Sequence, residues 1–266
     1  MYSLSFTKLT EKTKRNKWFV WIIIPLIIAI ILRLYKIGDF QNTYYTATAI
    51  SMLENWSNFF FASFDPIGIV TVDKPPISFW IQSISIKIFG ITPWSASVPH
   101  VIAGILSVLI LYLAINQTFG NKIAGLAAII AAIIPVNVLM DTRNEPDSIL
   151  IFILTLCVYF LIIGIRTNKF RWIIGFALLM GIAFNTKMLV AFIPLPIFLI
   201  YYFIASPNPI KKILVRIVII IILLVVSSAS WSTIVALTPP EARPYIGSTK
   251  DNSIWTLIFE YNGLNR

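Results

Sequence analysis

Seven apolar runs constrain this chain more than anything else in it: roughly 18–35, 93–115, 123–140, 147–165, 172–186, 188–205 and 213–236. Each approaches the ~20 residues that cross a hydrocarbon core of ~30 Å, the shorter ones helped by bilayer thinning or snorkelling flanks. Backbone polar groups in hydrocarbon must be satisfied within the segment, so such runs fold as helices. At 58% hydrophobic and 12% charged residues, the chain is unlike a soluble domain. Its mean hydropathy is +0.85. The expected class is an all-α polytopic membrane protein with about seven transmembrane helices.

The net charge of +10 would suggest nucleic acid as a partner in a soluble protein. Here its distribution reads as topology, and no nucleic-acid partner is expected. Treating 172–205 as two short helices meeting near Lys187 places twelve basic residues and Glu11 on one side of the membrane. Nine basic and ten acidic residues then lie on the other. That asymmetry follows the positive-inside rule and puts the basic tail 1–17 in the cytoplasm. One long helix would leave Lys187 near mid-membrane at a cost of about 2.5–3.5 kcal/mol. The tail and Trp18-Phe19-Val20-Trp21 resemble a signal peptide, but the run continues to Tyr35 with no small-x-small cleavage site. Trp18, Trp21, Trp94, Trp172 and Trp231 fall near span ends, as an interfacial aromatic belt does. Cys157, the single cysteine, lies inside an apolar run and reads as a buried structural thiol.

Residues 36–92 form the first outer loop, long enough for a structured subdomain. Tyr45, Ala49, Met52, Leu53 and Trp56 recur at helical spacing before Phe59-Phe60-Phe61, which predicts an interfacial helix. Ile77, Trp80, Ile81, Ile84 and Ile88 form a second apolar stripe after Pro75-Pro76, which predicts a second interfacial helix; Gln82, three serines and Lys87 argue against a short transmembrane element. Between the two lies the charged, proline-stiffened stretch containing Asp65, Asp73 and Lys74. Carboxylates for proton abstraction beside a lysine for a lipid phosphate suit group transfer from a polyprenyl-phosphate donor. Solvated loops with no chemistry share this composition, so spacing alone leaves both readings open.

Six blocks carry a resemblance: Asn42-Thr43-Tyr44-Tyr45, Phe59 to Pro66, Val72-Asp73-Lys74-Pro75-Pro76, Arg143-Asn144-Glu145-Pro146-Asp147, Thr186-Lys187-Met188 and Arg243 to Ser248. In order and spacing the chain resembles the GT-C membrane glycosyltransferases of the protein O-mannosyltransferase and aminoarabinose transferase superfamily, most closely the YkcB-type branch. The resemblance implies a multi-span helical fold with its site on the extracytoplasmic face of the plasma membrane. It implies sugar transfer from a polyprenyl-phosphate sugar to an envelope polymer or lipid. Lys74 would meet the lipid phosphate, and Asp73 and Asp147 would be acidic site residues.

Where the wider superfamily carries an acidic pair, this chain has Gln41-Asn42. Asp39, Asp65 and Asp73 therefore compete as general base, with Asp73 preferred. Tyr44 and Tyr45 of the first block are expected to bind substrate. Arg143 and Lys187 are expected near the headgroups, pairing either with phosphate or with Asp141, Glu145 or Asp147. His100 reads as structural. No His or Cys cluster marks a metal site, so no cofactor is expected, and a weakly held divalent cation is left open.

Three parts follow: the tail 1–17, a transmembrane glycosyltransferase domain 18–236, and the start of an outer loop at 237–266. Family members continue well beyond a block such as Tyr261-Asn262-Gly263, so the chain resembles the N-terminal third to half of a full-length enzyme. The alternative reading is a non-catalytic scaffold or truncated protein that binds lipid phosphate. A transporter ranks third, because the ionisable residues cluster in the outer loops rather than within spans.

Overall fold

A computed structural model describes residues 4–35, 37 and 42–264, and side chains from Phe19 to Gly263 within that set. Among them the regular structure is helical, with two isolated bridges, Ser63 with Thr71 and Val70 with Tyr245. Asp39 and Gln41 lie outside the described residues, as do the side chains of the basic tail and Trp18.

The apolar runs become helices that alternate between two ends of the molecule. α1 (Leu4–Tyr35) leads into two short helices, α2 (Thr43–Ser51) and α3 (Trp56–Phe61), and then α4 (Ile77–Phe89). α5 (Pro93–Ile133) is one helix interrupted at Gly120, whose φ of 80° only glycine adopts without strain. Two expected spans, 93–115 and 123–140, thus lie largely on its two limbs. The second is cut at Ile134, because Pro135 has no N–H to continue the helix and disfavours helical geometry in the residue before it. α6 (Pro135–Thr142) resumes after that break.

α7 (Pro146–Thr167) and α8 (Phe170–Lys187) form an antiparallel hairpin turned by Asn168 in the left-handed conformation. Gly164 permits their close approach, since a Cβ there would meet Ile173 at 2.4 Å. Met188, at φ 49° and ψ −134°, ends α8. A 3-10 turn, Met188–Phe192, then leads into α9 (Leu195–Ala205), so the segment around Lys187 is two helices and not one. α10 (Ile210–Leu237) packs against α8, and a C-terminal segment of short turns follows it, ending in α11 (Ile254–Thr256) and a π-helical stretch, Leu257–Leu264.

Four of these helical stretches are long and apolar enough to cross a membrane: Pro93–Ile133, Pro146–Thr167, Phe170–Phe192 and Ile210–Leu237. The part of α1 from Phe19 to Tyr35, with Ile77–Phe89 and Leu195–Ala205, gives shorter apolar helical stretches. The largest core lies among α7, α8, α9 and α10, around Cys157, Leu161, Phe176 and Met180. Cys157 is fully buried there, as its apolar run implied.

The first loop helix departs from its sequence pattern. The first stripe is split by Asn55, whose side chain accepts the Asn58 N–H and starts α3 as a new helix. α4 turns Ile81, Ile84 and Ile88 outward, as an interfacial helix does, while Ser78, Gln82, Ser83, Ser85 and Ile86 face inward. Beside lipid an outward apolar stripe carries no penalty; of the inward polar side chains, Ser78 Oγ lies 3.3 Å from His100 and Ser85 donates to the Ser95 carbonyl, while Gln82 and Ser83 have no hydrogen-bond partner among the described residues. Trp231 likewise leaves the expected belt: it is buried, and its indole N–H donates to the Phe60 carbonyl at 3.0 Å. Trp80 donates to Phe59 at 2.6 Å, so two indoles pin the Phe59-Phe60-Phe61 run.

Candidate active site

Contacts between chain reversals define one end of the helix pack. Ser97 reaches the Thr142 carbonyl, Lys187 reaches Asp147, and Trp231 reaches Phe60. The opposite end is marked by Arg166 on Gln117, and by Asn208 and Arg216 on Asn168. Most of the residues singled out above gather at the first end.

At its centre is the ion pair of Asp73 and Lys74, both buried. Adjacent residues on an extended backbone normally point apart, so the pair requires a turn, and Pro75-Pro76 impose one immediately before α4. The Lys74 ammonium lies 5.4 Å from the centre of the Tyr261 ring. Asn262 donates to the Asp73 carbonyl at 3.0 Å and to Leu257 at 3.1 Å. Asp73 Oδ1 is buried and accepts no hydrogen bond among the described residues. A carboxylate oxygen in that condition is an acceptor held ready for a donor.

Tyr44 stands beside this pair, 38% exposed. Burial and then the Asp73 charge push its phenol up to about 12, partly offset by the Asp73 backbone amide. It therefore remains a neutral O–H donor at physiological pH. Its ring packs on Phe64 at 4.6 Å. Tyr45 points the other way, into an apolar cluster with Met52, Val72 and Phe79, where it meets the Phe79 ring edge-on at 5.2 Å. The expectation that it binds substrate gives way to a packing role, because consecutive helical residues face different directions.

Asp65 is also given another task. Its carboxylate accepts the N–H groups of Ile69 and Val70 at 2.8–3.1 Å and so closes the turn through Gly68. Partial burial raises its pKa, but the backbone donors outweigh that and hold it below the usual 3.8. Such a group is a weaker base than an ordinary aspartate.

Asn42 explains how two distant blocks meet. Its Oδ1 caps α2 by accepting the Tyr45 N–H at 3.1 Å, and its Nδ2 donates to Glu145 at 2.9 Å. Asn144, left-handed at φ 49°, returns a bond to Thr46 at 3.0 Å. A carboxylate at position 42 would face Glu145 with like charge, whereas the amide bridges.

Asp147 opens α7 and Lys187 closes α8, each at the end where the helix dipole favours its charge. They form a two-oxygen pair at 2.5 Å. Asp141, offered as a partner for Arg143 or Lys187, instead binds Arg33 at 2.7 Å. The Arg143 Nε is buried and has no hydrogen-bond partner among the described residues, while its side chain remains partly exposed. His100 is fully buried, consistent with a structural role. Among the described residues no group of three His, Cys, Asp or Glu side chains could hold a metal ion.

The C-terminal segment completes this end, and sequence reasoning missed it. Tyr245 exchanges backbone hydrogen bonds with Ile69 and Thr71 at 2.8 and 2.9 Å, and Gly247 donates to Thr71 Oγ1 at 3.0 Å. These bonds seat the Arg243 to Ser248 block against the loop leading to Asp73. The tyrosine-asparagine-glycine block was visible, but a signal that Tyr261 and Asn262 face a lysine nearly two hundred residues earlier was not.

The sequence profile described as dolichyl-phosphate-mannose-protein mannosyltransferase matches residues 73–231, from the ion pair to Trp231. Over 258 residues the chain is 43% identical to "Putative mannosyltransferase YkcB" of Bacillus subtilis (strain 168), covering 96% of this chain and 36% of that protein. It is 41% identical to "Putative mannosyltransferase YycA" of the same strain, covering 96% and 37%. The chain thus spans roughly a third of the length of these curated relatives. Among solved structures it resembles ArnT from Cupriavidus metallidurans in the apo state, with a TM-score of 0.64 at 19% identity, covering 86% of this chain and 43% of that one. The same protein bound to undecaprenyl phosphate gives 0.61 at 20% identity, covering 84% and 42%. The Archaeoglobus fulgidus oligosaccharyltransferase in its apo form gives 0.61 at 15%, covering 83% and 29%. These likenesses establish the GT-C fold.

Proposed function

Because the chain belongs to the dolichyl-phosphate-mannose-protein mannosyltransferase family, we propose that it is the site-bearing part of an enzyme moving a sugar from a polyprenyl-phosphate donor to a cell-envelope acceptor. The observation that carries the proposal is the buried Asp73–Lys74 pair, with an uncommitted carboxylate oxygen beside the neutral phenol of Tyr44. The undecaprenyl phosphate bound by the structurally similar ArnT supports a lipid-linked donor.

Lys74 is 2% exposed, so a donor phosphate reaches its ammonium by exchange with Asp73 beneath Tyr261. The exchange frees the Asp73 carboxylate for the acceptor. It takes the proton of the acceptor hydroxyl as the new bond forms between that oxygen and the anomeric carbon. The bond from that carbon to the phosphate oxygen breaks, and Lys74 stabilises the charge developing on the leaving phosphate. No cofactor enters this sequence. Arg143 and the Lys187–Asp147 pair at the same end are secondary contacts for the headgroup region.

Arg166, Lys169, Arg171, Lys211, Lys212 and Arg216 flank the chain reversals at the far end. The positive-inside rule then places that end in the cytoplasm and the site outside. The proposed division is a cytoplasmic tail at 1–17, the transmembrane domain at 18–236 and an outer segment from 237.

The test is transfer of radiolabel from polyprenyl-phosphate sugars to envelope lipids or polymers in membranes bearing the chain, alongside Lys74→Ala and Asp73→Asn. Transfer that falls 10²–10⁴-fold in Asp73→Asn, with insertion intact, is the expected result for a lost general base. Full activity in that variant removes Asp73 from the mechanism, and donor binding without any transfer by the wild-type chain overturns catalysis.

A further inference from the structure

A second feature lies further along α4. A groove of about 370 Å³ is bounded by the turn after α2, by α3 and by α4, within the size range of small-molecule sites. Its apolar surface comes from Met52, Leu53, Phe59 and Ile84, with Trp56 at the rim, 74% exposed and stacked on Phe59. Its polar groups are donors: Lys87, the amide of Asn55 whose oxygen is already used as a helix cap, and the hydroxyl of Ser83.

Two of these are unusual. Ser83 Oγ is buried and has no hydrogen-bond partner among the described residues, a condition that calls for a reason. Lys87 is exposed, with no acidic partner among the described residues, and Glu54 does not line the groove. Ser83 and Lys87 are four residues apart on one helix, so their Cβ atoms lie on one face about 5–6 Å apart. Ile84, which lines the groove, shares one exposed face of α4 with Ile81 and Ile88.

We propose that this groove binds one anionic glycerophospholipid of the bilayer. The phosphate sits on Lys87, an ester carbonyl accepts the Ser83 hydroxyl one turn away, and the acyl chain lies over Met52, Leu53 and Phe59. The ester decides the occupant: a polyprenyl phosphate has a phosphate and an apolar chain but no carbonyl to satisfy Ser83. The donor site proposed above is separate, since the rise of α4 alone puts about 15 Å between its first turn, next to Lys74, and Lys87 in its last. The consequence is a lipid clamped against α2 and α3, the helices that carry Tyr44 and the Phe59-Phe60-Phe61 run.

The experiment uses the whole chain in nanodiscs of phosphatidylcholine with a minor share of phosphatidylglycerol, followed by native mass spectrometry of retained lipid. One phosphatidylglycerol should be retained per chain in preference to phosphatidylcholine. Lys87→Gln, an exposed change that spares folding, should reduce that preference roughly fivefold, the equivalent of about 1 kcal/mol for one basic residue at an anionic surface. Ser83→Leu should reduce retention of either lipid by filling the groove. Lys74→Ala should leave retention unchanged, which separates this site from the donor site. Equal retention in wild type and Lys87→Gln overturns the proposal. So does displacement of the phosphatidylglycerol by equimolar undecaprenyl phosphate, which would make the groove a polyprenyl site.

Discussion

Two buried ion pairs at the same end of this molecule behave in opposite ways. Arg33 and Asp141 come from α1 and α6, and the guanidinium is also held by the carbonyls of Ala29 and Ala132 at 3.4 and 3.2 Å. Gly104 on α5 leaves room for them, since a Cβ there would lie 2.1 Å from Asp141 Oδ2. Asp73 and Lys74 are neighbours in a loop, with one carboxylate oxygen uncommitted and an aromatic ring over the ammonium. The first pair joins helices and has its donors directed at fixed carbonyls. The second is assembled from a turn and a roof contributed by residues 261–262, and one of its carboxylate oxygens is unused. Burial of charge is common to both, so burial alone does not single out the proposed site; the uncommitted acceptor does.

The sharpest way to break the contrast is Arg33→Met. Removing one partner strands Asp141 and should cost about 3–5 kcal/mol, whereas Arg33→Met with Asp141→Leu should regain most of it. Thermal unfolding in detergent reads both, and a double variant no better than the single would show that the pair is not a unit. Gly247→Ala attacks the other region through its seam: the new Cβ would lie 2.2 Å from the Thr71 carbonyl. A loss of about 1–3 kcal/mol, as for an overpacked core, is expected, with greater proteolysis of residues 243–264. Unchanged protection of that segment would contradict its role as a roof.

Lys187→Met probes the intermediate case, a pair whose side chains are 15% and 30% exposed. Its structural loss should be about 1 kcal/mol or less. A separate titration with polyprenyl phosphate should show weaker binding if Lys187 also meets the headgroup, and unchanged affinity would assign it to structure alone. The smallest effect concerns Asp65. Its folded pKa lies below 3.8, so its contribution to the turn is complete above pH 3.8 and is lost as pH falls through the lower folded value. Amide exchange at Ile69 and Val70 should therefore show no loss of protection between pH 7 and 5, and a loss in that interval would assign the turn to another group.

Much of the helical frame was legible because hydropathy and helix length are local properties. The break at Lys187 followed from the cost of a mid-membrane ammonium, and the Asp73-Lys74-Pro75-Pro76 turn from its own residues. The outward α4 stripe agrees with an interfacial helix; the burial of Ser78, Gln82, Ser83 and Ser85 was not legible, because period alone does not say what the opposite face meets. Tyr45 carried the same aromatic signal as Tyr44 and was separated from it only by the orientation of α2.

The sequence by itself determined the all-α membrane class, the family and the acidic and basic residues available for chemistry. Local chain stiffness, hydropathy and motif order are enough for those. Only the tertiary structure decided that Asp141 belongs to Arg33, that Asn42 bridges to Glu145, and that Tyr261 and Asn262 cover the ion pair. Each of those contacts joins residues about a hundred or more positions apart, where pairing is set by how helices pack and chains reverse rather than by any neighbour in sequence.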